Sequence, residues 1–167
     1  MASGFKRVYL TPLTAVETTD KEGLGTLRFE GNKVYKWVKI LNSTATVAGA
    51  AGDAVAYAAA TGHNTNTVVI DATDADSNPV LAGLLQGSVT GTAGTSYYGW
   101  IQIKGPATAL QTLAGTPADG DLLMMSGTDK TLTKFVLSEG TPNTITSAPL
   151  AIATDASAKL VALDCPF

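Results

Sequence analysis

Apolar residues recur along this chain in short runs that alternate with polar ones and are cut by glycine, a period of two that predicts strands rather than helices. The clearest run is 97–104, where Tyr98, Trp100, Gln102 and Lys104 fall on one face and Tyr97, Ile101 and Ile103 on the other. Residues 26–30 and 33–41 are two runs rich in Phe, Tyr, Trp and Val, separated by Gly31 and Asn32. A two-residue Gly-Asn break between such runs signals a tight turn, so a hairpin is expected over 26–41. In its second run Val34, Lys36, Val38 and Ile40 oppose Tyr35, Trp37, Lys39 and Leu41. Both faces are partly apolar, so this strand needs cover on two sides.

Shorter strands are expected after the Gly52-Asp53 turn, over 67–71 and 80–85, after the Gly120-Asp121 turn, and over 132–137, 150–153 and 159–163. Residues 62–66 read as loop, and 106–113 as strand in preference to a short helix, because flanking glycines and threonine disfavour a helix there. Two Gly-Asp strand openings, each followed by a small and apolar strand (80–85 and 149–153), suggest two related halves. Residues 1–23 mix isolated apolar residues with Thr, Pro12 and charges and hold neither period. The expected fold is therefore all-β, a compact β-barrel or β-sandwich over 24–167, preceded by an extended N-terminal arm, 1–23.

Composition sharpens this picture. A chain of 167 residues can bury a sizeable core without a metal or disulfide, and the one cysteine, Cys165, has no intrachain partner. Residues 1–40 hold seven of the eleven basic side chains against four acids. Those cations are too scattered for a nucleic-acid footprint. No apolar run is long enough to span a bilayer, and the first residues lack the apolar stretch of a signal peptide, so no membrane partner is expected.

Candidate chemistry is sparse. His63 is the sole histidine and lies in a polar stretch with no Gly-x-Ser-x-Gly elbow, and no phosphate-cradling Gly-x-x-x-x-Gly-Lys occurs. No catalytic residue and no cofactor is expected. Asp71, Asp74, Asp76 and Asn78 carry the oxygen ligands that Ca²⁺ prefers but lack the spacing of an EF-hand, and a solvated acidic turn is the simpler reading. Tyr97, Tyr98 and Trp100 read as core or cross-strand pairs rather than a stacking platform for sugars.

The hairpin Leu24-Gly-Thr-Leu-Arg28 to Val34-Tyr-Lys-Trp-Val38, the Gly52-Asp53 strand, Tyr98-Gly-Trp-Ile-Gln-Ile-Lys-Gly105, the Gly120-Asp121-Leu-Leu strand and the closing Pro149-Leu-Ala-Ile-Ala to Leu163 together resemble the decoration, or cement, proteins of tailed-bacteriophage capsids. The resemblance covers about residues 24–165. It implies a non-catalytic structural protein of the virion, made in the host cytoplasm and bound to the outer capsid surface. Its expected partners are the major capsid protein and copies of itself, as a homotrimer, with terminal arms clamping neighbouring capsomers. Candidate capsid contacts on the arm are Phe5, Lys6, Arg7, Val8, Tyr9, Leu10 and Leu13, whose apolar members are costly to leave wet. A phage tail or baseplate β-module, or a sugar-binding adhesin, would share the glycine- and threonine-rich strands, and a small hydrolase built on His63 is the weakest alternative.

Overall fold

A computed structural model describes residues 8–42, 47–59, 62–75, 79–111, 113–136 and 149–166. The fold is all-β. The strands are β1 (Val16–Glu17), β2 (Leu27–Glu30), β3 (Lys33–Leu41), β4 (Ala54–Tyr57), β5 (Thr67–Val69), β6 (Leu81–Leu85), β7 (Ser96–Thr108), β8 (Leu122–Met125), β9 (Leu132–Lys134), β10 (Ala151–Asp155) and β11 (Leu160–Asp164). Five of them close a barrel in the order β3, β5, β4, β6, β7 and back to β3, with the other strands bonded outside it. The hairpin forms where the Gly31-Asn32 break places it, pairing Glu30 with Lys33 and Leu27 with Lys36.

β7 organises the molecule. One of its edges pairs with β3 from Ser96 to Lys104. Residues already paired to β3 take second partners on the opposite edge: Gly99 pairs with Val16 of β1, Gln102 with Leu84 of β6, and Lys104 with Asp164 of β11. β11 then follows β7 alone to Thr108, and Pro106 sits in this stretch, where β3 has ended and a missing N–H is tolerated. Gly105 marks the changeover. Its φ is 88, and a Cβ there would stand 2.2 Å from the Asn32 carbonyl oxygen, so only glycine fits.

The two Gly-Asp openings are one device used twice. Asp53 N–H donates to Ala50 O and Asp121 N–H to Ala118 O, each at 3.1 Å, with Gly52 and Gly120 at φ 91 and 88 as type II turns require. Each aspartate carboxylate then accepts from the first residue of its turn: Ala50 N–H reaches Asp53 Oδ2 at 2.9 Å, and Ala118 N–H reaches Asp121 Oδ2 at 2.7 Å. The correspondence continues outward. Gly52 N–H donates to Leu85 O as Gly120 N–H does to Ala153 O, both at 2.8 Å. Register agrees as well: Leu84 pairs with Gln102 and Leu85 with Ile101, as Ile152 pairs with Ala162 and Ala153 with Val161. Thus β8–β11 repeat β4–β7. The parallel β3–β5 ladder that completes the first unit is reduced in the second to one parallel bridge, Ala114 to Thr133.

Four local features differ from the sequence expectation. Residues Gly62–Thr65 form a single helical turn rather than a loop, β5 ends at Val69 and not at 71, β9 ends at Lys134 and not at 137, and strand structure over 106–113 ends at Thr108. The parallel β3–β5 pair is invisible to a periodicity argument, since alternation says which face is apolar but not which strand lies alongside.

Candidate docking surface

Alternation on β3 and β7 divides their side chains between two apolar environments. Val38, Ile40, Ile101 and Ile103 turn into the main core, while Tyr35, Trp37 and Trp100 form a separate cluster outside the barrel. Trp37 and Trp100, at 0% and 1% exposure, meet edge to face with centroids 5.2 Å apart. An outer face this apolar must be covered, and residues 8–23 cover it. This is where the structure places the segment expected to lie as an arm: it runs along the chain's own barrel.

Each indole supplies an anchor, because a buried Trp N–H needs an acceptor. Trp100 Nε1–H donates to Thr11 Oγ1 and Trp37 Nε1–H to Asp20 Oδ1, both at 2.9 Å. Thr11 is buried. Its N–H and hydroxyl donate to Glu22 Oε1 at 2.7 and 2.8 Å, and its carbonyl accepts from Arg28 Nη1 at 3.0 Å. The Tyr9 ring stands edge-on to Trp100, and its hydroxyl donates to Leu27 O at 2.9 Å. Arg28 lies 5.0 Å from the Tyr9 ring centroid and 5.8 Å from that of Trp100, giving cation–π contact to both. Leu13 packs on the same cluster, and β1 bonds the segment to β7.

The candidate contact residues therefore part company. Tyr9 and Leu13 face the protein's own aromatic cluster. Val8 and Leu10, at 81% and 75% exposure, face outward from the same anchored segment. Phe5, Lys6 and Arg7 lie outside the described residues. So do Asp76 and Asn78 of the acidic turn, where Asp71 is buried, Asp129 Oδ1 accepts the Ala72 N–H at 2.7 Å, and Asp71 O accepts from Asp74 N–H. Among the described residues no three acidic, His or Cys side chains are grouped to hold a metal ion. His63 is exposed and stacks on Tyr57 with centroids 4.1 Å apart. The best clue to the anchoring was in the sequence: two tryptophans on alternating strands bring two N–H groups, and Thr11 and Asp20 are acceptors in the one stretch without a period.

The barrel interior holds an unusual polar cluster. Lys36, 3% exposed, donates from Nζ to the Tyr57 hydroxyl at 3.3 Å, and that hydroxyl reaches Pro166 O at 3.4 Å. Burial lowers the Lys36 pKa. Burial, reinforced by Asp164, pushes the Cys165 thiol up to about 12, and burial with the neighbouring Cys165 pushes Tyr57 up to about 12. Both acids keep their proton in the folded chain at pH values where the unfolded chain has lost it. Their contribution to stability is complete below about pH 9 and drains as the pH rises toward 12. Lys36 has the opposite sign: its cost is relieved as pH rises toward the ordinary lysine range. The Lys36 gain opposes the loss up to about pH 10.5, so urea unfolding from pH 8 to 12 should show stability falling most clearly above that pH, by up to about 1.4 kcal/mol per pH unit for each acid. Cys165→Ala should flatten that fall; an unchanged profile would mean that the thiol titrates normally.

Compared with known proteins, the chain matches no family model, no curated protein and no solved structure.

Proposed function

We propose that this chain is a non-catalytic structural protein that binds the outer surface of a phage capsid and stabilises contacts between capsid proteins. The observation that carries the reading is the pairing of anchored and outward residues at the N-terminal segment. Tyr9 and Thr11 are fixed to the barrel while Val8 and Leu10, between and beside them, present apolar side chains to solvent. Such a segment is held in shape before binding, which lowers the entropy lost when a partner covers it. Lys6 and Arg7, which precede it in the sequence, add charge that would steer the approach to an acidic shell. The resemblance to cement proteins supplies the partner, the major capsid protein, and the homotrimer that would sit on the shell. The sugar-adhesin reading loses its platform, because Trp100 is buried and Tyr97 and Tyr98 are partly so.

The test is binding of purified protein to undecorated capsids. The double variant Val8→Ser, Leu10→Ser should keep its stability within about 0.5 kcal/mol, as exposed substitutions do. Its affinity for shells should drop roughly ten- to a hundredfold, about 1.4–2.8 kcal/mol. Undiminished decoration by the variant would place the capsid contact elsewhere on the molecule.

A further inference from the structure

A cleft of about 440 Å³ opens where the two units meet along β7, a volume within the range of sites that take small ligands or peptide side chains. Leu84 and Pro106 line it from either side of the Gly105 changeover, with Leu160 beyond them. Two glutamines, Gln86 and Gln102, line the same cleft, and each is held in one orientation. Gln102 Nε2 donates to Lys104 O at 3.1 Å and Pro106 O at 2.9 Å, and Gln86 Nε2 donates to Leu84 O at 3.1 Å and Leu85 O at 3.0 Å. With each side-chain nitrogen bonded to two backbone carbonyls, neither amide can flip without losing both bonds. Their Oε1 atoms are thus fixed as acceptors, and no donor among the described residues reaches them. Gln102 is 3% exposed as a residue, yet its unbonded Oε1 is not sealed from solvent.

The lining contains one charged side chain, Lys33, and no carboxylate. Lys33 has no ion-pair partner among the described residues. The chemistry is that of an apolar floor, two preset acceptors and one cation. An extended peptide supplies what these lack: N–H donors along its backbone, an apolar side chain and an acidic one. A sugar would bring donors as well, but the cleft offers no aromatic face to its ring.

We propose that this cleft binds an extended acidic-apolar peptide segment of a partner protein, which seats an apolar residue on Pro106 and Leu160, donates backbone N–H to Gln86 and Gln102, and places a carboxylate on Lys33. The idea rests on the reading of the chain as a protein that docks on other proteins, but its test needs no capsid. The full chain, labelled with ¹⁵N, is titrated to millimolar concentration with N-acetyl-Leu-Asp-Leu-amide, N-acetyl-Leu-Lys-Leu-amide and N-acetylglucosamine. The acidic peptide should shift amide resonances around Lys33, Gln86, Gln102 and Leu160, with at least fivefold weaker binding for the lysine peptide. Lys33→Gln, a change at the cleft rim, should erase that preference while leaving the spectrum otherwise intact. No shifts, shifts scattered over the surface, equal response to both peptides, or a response to the sugar alone would each overturn the proposal. Protein that decorates shells yet ignores the peptide would sink the cleft and spare the capsid reading; the reverse result would do the opposite.

Discussion

Trp100→Ala is expected to cost about 3–5 kcal/mol, the upper range for a single core truncation. The indole is 1% exposed, it touches Trp37 and Tyr9 edge to face, and its N–H is the bond that holds Thr11. The change therefore opens a cavity and loosens the covering segment together. Chemical unfolding followed by circular dichroism measures it; a cost under about 1 kcal/mol would mean the outer cluster collapses around the gap and is not rigidly packed. Trp100→Phe separates the two effects. It keeps most of the volume but loses the hydrogen bond, and should cost about 1–2 kcal/mol.

The second large effect concerns the N-terminal segment. Removing residues 2–7 should leave the melting temperature within a few degrees of the full chain, because the anchors among the described residues begin at Tyr9. Removing residues 2–23 strips the cover from Trp37 and Trp100, together with the β1 pairing and the Glu22 and Asp20 acceptors. Uncovering one large apolar side chain alone costs about 1.5–3 kcal/mol, and two indoles, Leu13 and Tyr9 are involved. The freed chain regains conformational entropy, which offsets part of this. The longer truncation should still show red-shifted tryptophan emission and a transition lowered by well over ten degrees or lost through aggregation. Native-like emission and melting from the 2–23 truncation would show that the segment is dispensable to the fold. It follows that a capsid-binding experiment must use the shorter truncation, since the longer one confounds loss of a contact with loss of the fold.

How much of this was legible in the sequence follows from what each signal encodes. The hairpin and β7 were readable, because a Gly-Asn break and a strict alternation of large residues are local properties. The repeat was readable in outline from Gly52-Asp53 and Gly120-Asp121, since the turn geometry demands those residue types. Its exact register was not, because β4–β7 and β8–β11 share almost no side chains beyond the turns: Tyr57 answers to Met125 and Gln102 to Ala162. Nor was the seating of residues 8–23. A segment with no period gives no hint of its own fold, and the information lies in the surface it covers. The preset acceptors of Gln86 and Gln102 were equally hidden, because an amide's orientation depends on carbonyls that only the folded backbone brings near.

The way the barrel is closed bears on the order in which the chain can fold. All five barrel strands have been made once residue 108 is joined, but one end of that barrel is completed by residues near the other terminus: Cys165 N–H bonds Ile103 O at 2.9 Å, and the Tyr57 hydroxyl reaches Pro166 O. At roughly 5–20 residues per second, synthesis takes about 3–11 s to cover that distance. Until residues 165 and 166 are made, the Ile103 carbonyl and the Tyr57 hydroxyl lack those partners. Water serves both groups in the meantime, so this end of the barrel is sealed only after the strands of the second unit have been made.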